Sequence, residues 1–103
     1  MDRARGDNEN RVGVMARFEI GGAELAAMVP AQATGEVYYE LGLMYAAGAT
    51  VPLDRVAAHK WFNVAAARGF RPAASLRTEV AQEMSAEEIA AAQREARMFL
   101  THH

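Results

Sequence analysis

The sequence predicts an all-α fold of antiparallel helix hairpins with a C-terminal capping helix. Three observations carry the prediction. Residues 41–69, LGLMYAAGATVPLDRVAAHKWFNVAAARG, hold two runs of helix formers and aromatics, each ended by a glycine, Gly48 and Gly69. Only Ala49-Thr50-Val51-Pro52-Leu53 separates Gly48 from Asp54, too little for a strand, and two helices so joined lie antiparallel and touch. Further on, Ser85 and Glu88 have capping-box spacing ahead of an apolar-periodic run.

Taken in order, residues 1–17 interleave arginines and acids with two glycines and read as a disordered arm. They lack the apolar stretch of a secretory signal, so a cytoplasmic protein is expected. Phe18 and Ile20 begin the ordered domain, residues 18–103, and residues 22–28 form a short helix stopped before Pro30. The first hairpin helix covers residues 36–47, with Thr34 or Gly35 as its cap. The second starts at Asp54, a good N-cap preceded by Leu53 in staple register with Ala58, and runs to Arg68. Gly42 within the first helix costs about 1 kcal/mol relative to alanine, so a close backbone is expected over it, with Ala58, Ala65 and Ala66 as the other half of the contact. Leu41, Met44, Tyr45 and Trp61 fill the space around it. Pro72 suits the first position of a third helix reaching about Glu83. The last helix follows Ser85, with Met84 and Ile89 spaced as a hydrophobic staple, and its seam is Ile89, Ala92, Ala96, Phe99 and Leu100.

Leu41-Gly42, Met44-Tyr45, Gly48, Val51, Asp54, Ala58, Trp61, Ala65-Ala66, Gly69 and Ala73 together resemble the Sel-one-like repeat (SLR), a relative of the tetratricopeptide repeat. The resemblance covers one repeat, about residues 36–71, with cap helices over about 72–100. It implies an α-α superhelix cut short. Thr50 stands where the family has a second glycine, Val37 where it has a small residue, and Arg77-Thr78 where the next repeat would carry leucine-glycine. The family implies a non-catalytic scaffolding or protein-interaction module in a bacterial signalling, envelope or regulatory complex. The alternative it implies is a small hydrolase-like enzyme akin to the cysteine-rich members, and this chain has no cysteine.

Composition narrows the chemistry further. The lack of cysteine excludes disulfides, cysteine nucleophiles and thiolate metal sites together. A net charge of −2 with mixed signs gives no basic face for nucleic acid, and no apolar run approaches membrane-spanning length. His102 and His103 at the end do not make a metal site, and Glu87 beside Glu88 diverges around a helix. No cofactor, metal or catalytic residue is expected. The first hairpin helix is apolar nearly all round, with Tyr38, Leu41, Met44 and Tyr45 on one side and Tyr39, Leu43, Ala46 and Ala47 on the other. Such a helix needs cover on two sides. The second cover is residues 18–28, a second copy in a homodimer, or a protein partner. The contact residues expected are Tyr39 and Leu43 on that apolar face, or Arg55, His59, Lys60 and Asn63 on a solvated outer face of the second helix.

Overall fold

The computed structural model describes Val29 and residues 33–102. The expected arm, the helix at residues 22–28, Phe18, Ile20 and His103 lie outside the described residues. Within them the chain forms four helices and no strand: α1 (Gly35–Ala47), α2 (Arg55–Ala67), α3 (Pro72–Ala81) and α4 (Ala86–His102).

Local chemistry sets the ends of the helices. Gly48 closes α1 in the left-handed region (φ 66°), its N–H donating to the Met44 carbonyl. The Asp54 side chain accepts from the Ala57 N–H at 3.0 Å, while the Asp54 N–H donates to the Tyr45 carbonyl at 3.1 Å and ties the turn back to α1. At the end of α2, Gly69 (φ 98°) donates to the Ala66 carbonyl and Phe70 to that of Ala65, a Schellman closure that satisfies two orphan acceptors. Pro72 stands in the first turn of α3. The capping box is formed in full: the Ser85 N–H donates to Glu88 Oε1 at 2.9 Å and the Glu88 N–H to Ser85 Oγ at 3.1 Å. Gly48 and Gly69 are thus exposed turn residues that close the two helices, as the sequence predicts; their place in the repeat pattern is at the helix ends and not among the buried side chains.

The hairpin is antiparallel throughout. The start of α1 meets the end of α2 through Gly35 and Ala65, Tyr38 stacks on Trp61 with ring centroids 5.7 Å apart, and Tyr45 meets Asp54 at the turn. Gly42 is a point of close approach, but its neighbour is a ring. A Cβ there would lie 2.6 Å from Phe62 Cε1 and 2.7 Å from Cδ1, so Phe62 occupies the space assigned to a backbone beside Ala58, Ala65 and Ala66. Backbone approach occurs one end further along, where a Cβ on Gly35 would sit 2.8 Å from the Ala65 carbonyl oxygen.

The centre of the fold is α2. Helices α1, α3 and α4 each pack chiefly on it, while α3 and α4 make no extensive contact with one another and so do not build a second hairpin. Ala58, Trp61, Phe62, Val64 and Ala65 are buried with Tyr38, Leu41 and Tyr45 of α1. Ala73 of α3 and Ala96 of α4 join the same cluster; Met44 and Ala66 are half-buried at its edge. The seam of α4 is as expected in outline, with Ala92 and Ala96 buried and Phe99 and Leu100 half-buried. Phe99 reaches past α2 to α1, edge-on to Tyr38 at 5.6 Å and to Trp61 at 5.0 Å. The helix wrapped on nearly every side is therefore α2. Helix α1 keeps an exposed strip of Glu36, Val37, Glu40, Leu43 and Ala47.

Candidate functional site

Between α1 and α3, both packed on α2, lies a groove of about 280 Å³. Phe62, held by Gly42 and by Tyr39 at a ring separation of 6.0 Å, gives it an apolar base from α2. One wall is Leu43 and Ala46 of α1; the other is Leu76 and Val80 of α3, one turn apart. Polar groups line the same groove: Glu79, Glu83 and Arg55, the last paired with Glu83 at 3.2 Å.

Of the residues expected to touch a partner, Leu43 and Arg55 line this groove together, although the sequence assigns them to alternative surfaces. Tyr39 is half-buried beside it, its ring 4.7 Å from that of Phe70. The outer face of α2 is not solvated as a whole: α3 and α4 pack on this helix, Arg55 stays exposed, and Lys60 and Asn63 are half-buried. His59 is 3% exposed, its Nδ1 has no hydrogen-bond partner among the described residues, and burial, then the nearby Arg77 guanidinium, hold its imidazole below the usual histidine range. Asn63 Oδ1 accepts from Arg77 Nη1 at 2.9 Å, which ties α2 to α3. These two residues are structural, and their placement among exposed contacts is corrected.

Lys60 belongs to a separate hollow of about 280 Å³, lined with Glu95, Met98, Phe99 and His102 of α4. Its Nζ lies 4.3 Å from the Trp61 ring centroid, a cation–π contact. Burial pulls its pKa down from the usual lysine range while Glu95 acts in the opposite direction. The ring of His102 is engaged on its own helix, Nδ1 lying 2.8 Å from the Met98 carbonyl oxygen. Among the described residues no group of three His, Asp or Glu side chains converges at metal-binding distance. No described helix is long and apolar enough to cross a membrane.

The sequence reading missed the α3 wall. Its signal was present: Leu76 and Val80 are one turn apart, as are Glu79 and Glu83. Phe62 was missed too, because it lies outside the positions that the repeat pattern marks. Comparison of the chain with protein-family models, with curated proteins and with solved structures found no match. The described residues form an all-α domain with a groove of mixed apolar and charged lining between its first and third described helices.

Proposed function

We propose that this protein is a non-catalytic protein-interaction module built on one SLR-like hairpin, and that it binds through the groove between α1 and α3. The observation that carries the reading is the exposure of Leu43 (38%) at the lip of a recess that has Phe62 at its base and a lining of apolar and charged side chains. An isolated exposed leucine needs no explanation, but one that continues an apolar floor and faces Leu76 and Val80 makes an anchor site. The recess falls just below the range of roughly 300–1,000 Å³ usual for small-molecule sites. Its size suits a side chain or two offered by another polypeptide, the helix-in-groove mode of recognition. The polar rim can fix the orientation of that polypeptide, as polar groups do around apolar interface centres.

A photo-crosslinking amino acid at Leu43, and separately at Gln93 on the exposed surface of α4, tests this in cells of the source organism. The expected result is a discrete adduct with another polypeptide from position 43 and none from position 93. Equal labelling from both positions, or none from either while the protein remains folded, would reject the groove as the binding surface.

A further inference from the structure

We infer that the groove selects a cationic amphipathic helix, its apolar residues entering between α1 and α3 and its lysines or arginines lying along the acidic rims. This rests on the reading of the groove as a protein-binding site and adds the chemistry of the partner. Charge complementarity is the ground for it. Helix α1 has no basic residue at all, and its two carboxylates, Glu36 and Glu40, are exposed along the strip that includes Leu43. Glu40 precedes Leu43 by three residues and Glu36 by seven, so the three share one side of the helix. On the opposite wall, Glu79 and Glu83 flank Leu76 and Val80.

Two cations of α2 and α3 are engaged. Arg55, the basic residue lining the groove, pairs with Glu83, and Arg77 is turned away from the groove to donate to Asn63 on α2. Pairing with Arg55 takes up Glu83, which leaves Glu79 on the α3 wall; with Glu36 and Glu40 on the exposed strip of α1 beside Leu43, the net charge around the groove is negative. A partner helix with an apolar stripe flanked by basic residues satisfies both features at once, whereas an acidic or uniformly apolar helix meets like charge or leaves the rims unmatched. Residues 1–28 are a poor match as an occupant, because their four arginines are outnumbered by five acids. A second copy would bring one acidic rim against another.

The test is a selection of random helical peptides displayed on the full-length protein, counter-selected against Leu43→Asp, an exposed substitution that spoils the apolar lip. The expected outcome is a set of groove-dependent peptides with apolar residues at three- and four-residue spacing and a clear excess of lysine and arginine. Their affinity should fall about tenfold on the Glu40→Lys/Glu79→Lys variant, and fall with added salt, since exposed charge pairs are individually weak and screened. Groove-dependent peptides with no basic excess, or with affinity unchanged by the double reversal, would overturn the charge proposal and leave the groove intact as a binding site. Failure to recover any peptide that discriminates Leu43→Asp would overturn both. With the photo-crosslinker at position 43, an adduct to residues 1–28 of the same chain or to a second copy would also overturn it, by showing the groove already filled.

Discussion

The Gly42–Phe62 contact makes a prediction whose sign depends on the neighbour. In Gly42→Ala the new Cβ would meet Phe62 Cε1 at 2.6 Å, and the ring must retreat by roughly 0.8 Å to reach ordinary contact at 3.4 Å. Phe62 is 1% exposed, with Tyr39 beside it, so the retreat is resisted from several sides. Overpacking of this kind costs about 1–3 kcal/mol, while alanine in a helix interior returns about 1 kcal/mol relative to glycine. The net effect in the native background is a loss of about 1 kcal/mol. Phe62→Val removes both clashing atoms and by itself costs about 2–4 kcal/mol through the lost ring. In that background Gly42→Ala no longer overpacks and should stabilise by up to about 1 kcal/mol. Urea denaturation followed by the single tryptophan, Trp61, and by helical circular dichroism gives the four stabilities. A coupling of about 1–3 kcal/mol with a change of sign is expected. Additivity within about 0.5 kcal/mol would refute the packing of Gly42 under the ring.

Gly35→Ala should destabilise more than Gly42→Ala, because its Cβ would meet the Ala65 carbonyl oxygen and Phe70 Cβ at the Schellman closure, where backbone must move; a loss of about 2–3 kcal/mol is expected from thermal and urea unfolding. Ser85→Ala removes one half of the formed capping box and should lower stability by about 1 kcal/mol, with amide exchange quickening first at residues 86–89 of α4. His59 gives a pH dependence. Its pKa is lowered in the folded state, so below about 6.5 the unfolded chain binds the proton and the native chain does not. Stability from this group is complete above about pH 6.5 and declines as the pH falls, with a slope of at most about 1.4 kcal/mol per unit. Urea midpoints from pH 8 to 5 should show that decline in the native protein and a flatter profile in His59→Met.

The parts legible in the sequence were those that a few neighbouring residues decide. Asp54, Gly48, Gly69, Pro72 and the Ser85–Glu88 pair each act within one helical turn, and each stands where its chemistry places it. The seam of α4 was readable for the same reason, since Ala92 and Ala96 follow helical spacing. What escaped depends on which helices come together. His59 sits between Ala58 and Lys60, and local polarity there looks solvated, yet the apolar residues of α2 extend through Val56, Ala57, Trp61, Phe62 and Val64, a spread too wide for one packed face. That spread marks α2 as the wrapped helix. The same reasoning applied to α1 gives it a second apolar side, and Val37, Leu43 and Ala47 are left exposed there. The groove needed both facts, an α1 that is not fully covered and an α3 that lies beside it.

The arrangement also accounts for how a lone helix hairpin can stand. Stacked repeats bury each helix pair against the next, and a lone pair leaves the faces of its second helix exposed. Here α3 and α4 cover those faces separately: α3 through the Arg77–Asn63 bond and Ala73, α4 through Ala92, Ala96 and the Phe99 contact with Tyr38 and Trp61. Small residues at the crossing points let the helices approach closely, and the aromatic rings supply most of the buried bulk. Because α3 and α4 are each committed to α2, neither closes over the gap between α1 and α3. The groove is thus a consequence of how the core is completed: a substitution that drew α3 toward α1 to fill it would strain the Arg77–Asn63 bond that ties α3 to α2. Stability of the α2 core and openness of the groove are consequently coupled, and a helix that fills the groove should raise the melting temperature by mass action on the native state alone.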